Sequence, residues 1–389
     1  MAVKKSSPYY FIILMGLVSL FADMTYEGAR STIGPFLQIL GASGLVVSMV
    51  AGFGEFVSVT LRMLFGYWSD KTRWYWGFTF LGYALNLFAV PLLALAGQWE
   101  VAVALVIAER LGKAIRAPAR DVLLSGATRS VGSGWGFGLH EAMDQIGAVV
   151  GPLLLAGILF VHDTYRQGYA VLLIPALIAF SLLVVGRVLF PRPQEFETQK
   201  VSATANQLPF TFKQFLFAAV FLGAGFVDFP LVAYHLKASA VIADAWIPVV
   251  YAVAMGVDAV AALGLGRWYD RSGIQVMAFA ALFSAVAPLF LFGFSAQWVV
   301  AGIVLWGIAM GARESILKAV VSDLVPAERR GTAFGLFNGI FGLAWFAGSA
   351  LIGWLYETQL AVMLSVVVVL QLISAGAFWH LHRKARASF

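Results

Sequence analysis

Residues 66–73 read GYWSDKTR and residues 266–273 read GRWYDRSG, and each segment follows a long apolar run. Their aspartates, Asp70 and Asp270, are separated by 270 − 70 = 200 residues. A second set of matches has an offset of 313 − 116 = 197 residues and pairs Arg116 with Arg313 and Gly151 with Gly348. A repeat sustained over several apolar runs predicts two similar halves in one chain.

The apolar runs are long enough to cross a membrane. The 389 residues are 61% hydrophobic and only 12% charged, about half the charged share of a soluble domain. A membrane-spanning helix needs about 20 apolar residues. The predicted spans are 9–36, 45–65, 74–96, 101–119, 134–160, 168–190, 212–236, 245–265, 276–293, 298–321, 331–356 and 360–381. We expect an all-α membrane protein with 12 transmembrane helices in two pseudo-symmetric six-helix bundles.

Polar segments and basic residues set the predicted domains and orientation. Residues 191–212 are polar and predict a cytoplasmic linker between an N-terminal bundle, 1–190, and a C-terminal bundle, 213–389. Lys and Arg concentrate in the segments on the side of both termini, whereas the opposite loops carry only Arg166 and Lys237. This bias predicts cytoplasmic termini, and we expect the protein in the cell (inner) membrane.

Several motifs resemble those of the major facilitator superfamily, and the similarity covers nearly the whole chain. The motif Gly66-x-x-x-Asp70-Lys71-x-Arg73 is similar to that family's first inter-helix signature, with Thr72 in place of its usual glycine. Arg110 stands where the family has a buried arginine. Gly147-x-x-x-Gly151-Pro152 resembles the signature of the twelve-span proton-coupled drug/metabolite antiporter branch, although Leu155-Ala156 replaces the double glycine that follows it.

The resemblance implies alternating access around a cleft between the bundles, with a set of gating residues. In the family the loop after span two caps a neighbouring helix and latches the inner gate, which suits a carboxylate at a positive helix end. Topology alone would explain Lys71 and Arg73, and close helix packing would explain the glycines. The expected gating residues are Gly66, Asp70, Lys71, Arg73, Gly147, Gly151, Pro152, Asp270 and Arg271.

Charged residues also lie inside the predicted spans, where each costs roughly 2.5–3.5 kcal/mol on insertion scales. In span one, Asp23, Glu27 and Arg30 have the spacing i, i+4, i+7 and therefore share one helix face. Most of these residues belong to the first half. The expected proton-coupling and substrate-cavity residues are Asp23, Glu27, Arg30, Arg110, Lys113, Arg116, His140, Glu141, Asp144, Asp228, Asp258 and Arg313.

We expect these charges to form a network between spans one, four and five. Asp23 or Glu27 would pair with Arg110, and Glu141 or Asp144 with Arg110 or another cation of span four. Low dielectric disfavours a charged carboxylate and a nearby arginine favours it, so movement between inward and outward states could load and release a proton. The alternative for each residue is an ion pair that only fixes helix register.

These features predict a secondary active transporter that moves a small organic solute, with proton-coupled efflux as the leading hypothesis. The alternatives are uptake of an anionic metabolite by proton symport, with Arg110 and Arg313 as ligands, and a non-transporting receptor or scaffold. An intramembrane enzyme would need a nucleophile or metal site, and the sequence offers neither a Walker loop nor a zinc motif. We expect no enzyme activity, cofactor, metal or nucleic-acid partner; the bilayer surrounds the chain, and a monomer suffices.

Overall fold

The protein is described by a computed structural model that covers residues 8–131, 133–162, 164–191, 209–293, 296–325 and 330–387. Within these ranges some side chains are not described, that of Glu141 among them. Most of the predicted linker, residues 192–208, also lies outside the described part of the chain.

The described chain is built from helices. The first half contains α1 (Pro8–Ile39), α2 (Gly44–Thr72), α3 (Tyr75–Leu92), a 3₁₀ turn (Leu93–Leu95), α4 (Trp99–Val131), α5 (Ser133–His162), α6 (Tyr165–Val171) and α7 (Leu173–Leu189). The second half contains α8 (Phe210–Ala224), α9 (Phe229–Ala238), α10 (Trp246–Ser272), α11 (Gln275–Gly293), α12 (Ala296–Leu324), α13 (Arg330–Thr358) and α14 (Leu360–Ala387).

Eleven segments of the described chain are long and apolar enough to cross a membrane. The twelfth predicted span is α4, which is 33 residues long but carries more charge than the other spans. Spans six and seven are each formed by two helices in series, α6 with α7 and α8 with α9. The protein is an all-α membrane protein of the predicted twelve-helix class.

The break in span seven lies at Gly225–Asp228 and has a local cause. Asp228 has an extended backbone, and Pro230 occupies the first turn of α9. A proline fits the first turn of a helix because its missing N–H has no partner there in any case. The break leaves the carbonyl of Val227 free to accept a hydrogen bond from the indole N–H of Trp306, at 2.8 Å.

The chain divides into two compact units whose boundary falls within α2. The first unit contains residues up to Phe36 and continues from Val57 through α7. The second unit contains Leu37–Phe56 together with α8–α14. The beginning of α2 therefore packs with the second unit, a division that differs from the expected domain bounds of 1–190 and 213–389.

Equivalent glycines make the same kind of helix contact in both units. A Cβ on Gly151 of α5 would lie 2.3 Å from the carbonyl oxygen of Met24 on α1. A Cβ on Gly348 of α13 would lie 2.0 Å from the carbonyl oxygen of Ala224 on α8. Met24 and Ala224 are themselves separated by 224 − 24 = 200 residues. The sequence repeat is thus a repeat of helix packing.

Candidate functional site

A cluster of buried and half-buried charges joins α1, α4 and α5 in the first unit. We call it the charge cluster. Its members are Asp23, Glu27, Arg30, Glu109, Arg110, Lys113, Arg116, Arg120, His140 and Asp144.

Close packing of α1 on α5 brings two acidic residues together. A Cβ on Gly147 would lie 2.3 Å from the carbonyl oxygen of Leu20 and 2.9 Å from Cβ of Asp23. Asp144 lies one turn before Gly147 on α5 and interacts electrostatically with Asp23. The glycine therefore allows a close approach of the two helices that carry these interacting carboxylates.

Asp23 lies at the centre of the charge cluster. Its side chain is buried and interacts with the charges of Asp144, Lys113 and Arg116. It also accepts a hydrogen bond from the hydroxyl of Tyr26, one turn along α1. Like charges that lie close together in a medium of low dielectric repel strongly, and a proton held between them relieves that repulsion.

Cations of α4 lie over aromatic rings. Nζ of Lys113 lies 4.3 Å from the ring centroid of Tyr26. The guanidinium carbon of Arg116 lies 4.4 Å from the ring of Tyr83 and 5.7 Å from that of Tyr26. Cation–π contacts of this kind are strongest when both groups are desolvated, and Arg116 is buried. Tyr26 thus contacts Asp23 and both cations.

His140 links Asp144 to Ser19 and, through Ser19, to Arg120. Its Nε2 lies 2.9 Å from Oγ of Ser19, and its Nδ1 lies 3.5 Å from Oδ2 of Asp144. Nη1 of Arg120 donates to the same serine oxygen at 3.3 Å. The chain from Asp144 through His140 and Ser19 to Arg120 joins three helices by side-chain contacts. The side chain of Glu141, also expected here, lies outside the described residues.

Arg110 has one partner that we did not expect. Nε of Arg110 forms an ion pair with Oε2 of Glu109, its neighbour in sequence, at 3.1 Å. Oε1 of Glu109 in turn accepts a hydrogen bond from Nδ2 of Asn86 at 2.6 Å. Glu27 interacts electrostatically with Glu109 and pairs with Arg30 at 3.8 Å. Lys113 and Arg116 interact with Asp23, and Glu109 links Arg110 to Asn86 of α3.

In the second unit, Asp228 is held by neutral donors. The indole N–H of Trp345 donates to both carboxylate oxygens, at 3.0 and 3.1 Å, and the hydroxyl of Ser349 donates to Oδ2 at 2.8 Å. The backbone carbonyl of Ser349 accepts from the hydroxyl of Ser48 on α2 at 2.6 Å. Asp228 therefore connects the break in span seven to α13, and Ser349 connects α13 to the beginning of α2.

Arg313 lies between two aromatic rings. Its guanidinium carbon is 4.0 Å from the ring centroid of Trp345 and 4.3 Å from that of Phe226. A longer contact of 3.9 Å joins it to Glu314. Asp258 is buried on α10 beside Gly311 of α12, where a Cβ would lie 2.9 Å from its Oδ1.

The expected gating residues occupy several different settings. Oδ1 of Asp70 accepts from the hydroxyl of Tyr75 at 3.1 Å, Nζ of Lys71 lies 5.9 Å from the ring of Tyr67, and Arg73 has a left-handed φ of 52°. Asp270 and Arg271 are exposed, and the neighbouring Tyr269 donates to Asp323 of α12 at 2.7 Å. Gly66 of α2 faces Pro118 of α4, and Pro152 is buried within α5 beside Gly151.

Sequence reasoning missed the aromatic and neutral partners of these charges. Tyr26, Tyr83, Asn86 and Trp345 were not selected, because 14% of the chain is aromatic and a hydropathy pattern does not indicate which rings face a charge. One signal was available for Tyr26, which lies three residues after Asp23 and one before Glu27. In the described residues, no group of three or more His, Asp and Glu is arranged to hold a metal ion.

Comparison with known proteins gives a consistent family. The family model for the Major Facilitator Superfamily matches residues 15–349 and also residues 215–388. An uncharacterized protein of Mycobacterium tuberculosis is 42% identical over 375 residues, covering 95% of this chain and 92% of that protein. An uncharacterized MFS-type transporter of Methanocaldococcus jannaschii is 29% identical over 383 residues, covering 93% and 92%.

Solved structures show the same fold at low sequence identity. The crystal structure of the nucleoside transporter NupG is 14% identical, with a TM-score of 0.71, and covers 97% of this chain and 98% of that one. A bacterial homolog of the human lysosomal transporter Spinster, in an inward-facing and occupied conformation, is 14% identical with a TM-score of 0.67 and coverage of 97% and 98%.

Proposed function

We propose that this chain, which belongs to the major facilitator superfamily because the family model matches most of its length, exports a small organic solute in exchange for protons. The chain is an integral membrane transporter, and the proposal proceeds from that family membership. The proposed location is the cell (inner) membrane, with both termini in the cytoplasm. The proposed mechanism is alternating access, with one chain as the working unit.

The observation that carries the proposal is the electrostatic interaction of Asp23 with Asp144 inside the charge cluster. Two carboxylates that interact strongly release their protons as a pair, and one proton between them is the favoured intermediate state. Lys113 and Arg116 interact with the same site and oppose protonation. A small movement of α1 relative to α4 or α5 would change this balance and load or release a proton.

The same site can exchange its proton for a solute. A cationic or amphipathic solute that approaches Asp23 competes with the proton for the negative charge, so each would drive the release of the other. Tyr26 offers an aromatic face next to this carboxylate, and Lys113 already uses part of it. The proposed role of Asp23 is therefore to bind either the proton or the solute, in alternation.

Proton-coupled uptake of an anionic metabolite is the second candidate, with Arg110 and Arg313 as ligands. Arg313 supports it, because its guanidinium lies against two rings and a planar guanidinium can bind a planar anion through two hydrogen bonds. Arg110 supports it less, because Glu109 already neutralises its charge. The two candidates predict opposite directions of solute accumulation under the same proton gradient.

Flux measurements in proteoliposomes test the proposal. Panels of organic cations and organic anions are screened with an imposed pH gradient, and an internal pH dye reports proton movement. We expect an organic cation to move against the proton flux. Asp23→Asn should remove the dependence of flux on the gradient, whereas Arg110→Ala should lower the rate and leave the dependence in place.

Two results would contradict the proposal. If gradient-driven exchange of the identified solute survives in Asp23→Asn, this carboxylate does not carry the proton. If an anion accumulates with the proton gradient and depends on Arg110 and Arg313, the uptake hypothesis replaces export.

A further inference from the structure

A groove between α8 and α14 of the second unit has no role in the transport mechanism above. Its volume is about 480 Å³, within the range of small-molecule sites. Phe217 of α8 and Ile373 and Ala377 of α14 form an apolar wall. Lys213 and His380 also line the groove and are both exposed.

The register of the two helices places the polar groups together. Gln371 donates from Nε2 to the carbonyl of Leu222, and Ser374 donates from Oγ to the carbonyl of Ala218. Phe378 contacts Phe215, with ring centroids 6.3 Å apart. The two helices therefore run antiparallel: from Leu222 back to Phe215 the partner residues on α14 advance from Gln371 to Phe378.

Continuing this antiparallel register brings Lys213 beside His380 and Phe210 beside Arg383. The apolar wall then extends away from the cations, since Ile373 lies seven residues before His380, or about 10 Å along the helix. The groove consequently has a basic end and an apolar length.

The basic end carries no compensating acidic residue on either helix. Neither α8 nor α14 contains Asp or Glu, whereas the last two turns of α14 read HLHRKARA. The groove also opens near the N-terminus of α8, whose backbone dipole adds positive potential. A ligand that complements this site has an anionic head and a hydrocarbon tail.

We propose that the groove binds one anionic phospholipid, with its phosphate at Lys213 and Arg383 and an acyl chain along Phe217, Ile373 and Ala377. The cytoplasmic leaflet is the anionic one, and each basic residue near its surface contributes about 1 kcal/mol of attraction. The choice of leaflet rests on the proposed orientation, in which the start of α8 and the end of α14 face the cytoplasm. Lipid binding itself does not depend on the proposed transport function.

Native mass spectrometry of the full chain in detergent tests the headgroup. Phosphatidylglycerol and phosphatidylcholine with the same acyl chains are titrated separately. We expect phosphatidylglycerol to bind at least about fivefold more tightly, and Lys213→Gln or Arg383→Gln to reduce that preference about fivefold. Arg187→Gln, which removes a cation from the last turn of α7, is the matched control and should leave the preference unchanged.

A second pair of variants tests the groove. Ala377→Phe should fill the apolar wall and lower retention of phosphatidylglycerol several-fold, whereas Ala361→Phe, at an exposed position near the other end of α14, should not. Unchanged thermal unfolding of the variants shows that they are folded.

Three outcomes overturn the proposal. Equal affinity for the two lipids removes the headgroup site, and equal effects of Arg187→Gln and Lys213→Gln show only a diffuse charge effect. Displacement of the lipid by inorganic phosphate at the same concentration shows that the cations bind a free anion and that the groove contributes nothing.

Discussion

Asp23 of the first unit and Asp228 of the second unit are both buried in their bundles, but their described neighbours differ. Asp23 has Asp144, Lys113 and Arg116 around it. Asp228 receives hydrogen bonds from Trp345 and Ser349. The two halves share a repeat and a mode of helix packing, and they differ in how they stabilise ionised groups.

The difference indicates a division of labour. A carboxylate beside a second carboxylate and two cations can change its protonation with small movements, because Coulomb energies at short range in low dielectric are large. A carboxylate that accepts hydrogen bonds from two neutral donors is held in one geometry. We therefore expect the first unit to handle protons and the second to keep fixed contacts.

The largest effects should come from the glycine contacts that both units share. Gly151→Ala and Gly348→Ala each place a Cβ within 2.3 Å of a backbone oxygen, which forces the helices apart. We expect each variant to lose about 1–3 kcal/mol of unfolding free energy and most of its flux. Unfolding in detergent and flux in proteoliposomes measure both effects.

Gly157→Ala and Gly376→Ala are the matched controls, because a Cβ at either position has no neighbour within 4 Å. Equal losses in Gly151→Ala and Gly348→Ala would support common packing. A loss confined to one unit would break the structural equivalence of the repeats.

Asp228→Asn should destabilise the second unit without removing proton coupling. The indole N–H of Trp345 donates to both carboxylate oxygens, so in an asparagine the amide NH2 that replaces one of them faces that donor and one contact is lost. We expect a loss of about 1–2 kcal/mol, typical of one unsatisfied buried donor. Ser349→Ala leaves the carboxylate and Trp345 in place and should cost less. Loss of gradient-driven flux in a folded Asp228→Asn protein would contradict the division of labour.

Replacement of Arg116 and Arg313, which the repeat pairs, by lysine should show which arginine is stabilised more by its aromatic contacts. Arg313 has two rings within 4.3 Å, whereas Arg116 has one ring at 4.4 Å and a second at 5.7 Å. Lysine keeps the charge but loses the planar stacking surface. We expect Arg313→Lys to lose about 1 kcal/mol and Arg116→Lys less, measured by unfolding. The reverse order would show that charge pairing, rather than stacking, holds these arginines.

The smallest effect should come from the loop after α2. Asp70→Asn should slow transport a few-fold with little change in the half-saturation concentration, because the expected role of Asp70 is in gating and not in solute binding. Tyr75→Phe removes the hydrogen bond seen at 3.1 Å and serves as the control for local structure. A raised half-saturation concentration with an unchanged maximal rate would contradict a gating role.

Hydropathy and the internal repeat were sufficient to predict the fold class, since a helix that crosses lipid must be both long and apolar. The break at Leu172, between α6 and α7, was not predicted, because leucine does not interrupt helices, whereas the break in span seven has Gly225 and Pro230 as signals in the sequence. The extension of α4 to Val131 was also missed, since that part of the helix is polar and hydropathy indicates only apolar length.

The candidate site was predicted by residue type more than by pairing. Helical spacing placed Asp23 and Glu27 on one face, but tertiary packing decides which cation each one meets. Arg110 was expected to pair across helices, and the structure adds a partner on its own helix, Glu109 at 3.1 Å, that sequence reasoning had not weighed. The spacing of residues along one helix does not indicate which face of a neighbouring helix is turned toward it.

Infrared difference spectroscopy gives the most direct test of proton binding in the charge cluster. Spectra recorded between acidic and basic pH report the carbonyl stretch of protonated carboxyl groups, and no substrate is needed. We predict a band that disappears in both Asp23→Asn and Asp144→Asn and persists in Asp228→Asn. A band that persists in the first two variants, or disappears only in Asp228→Asn, would contradict the assignment of the proton to the first unit.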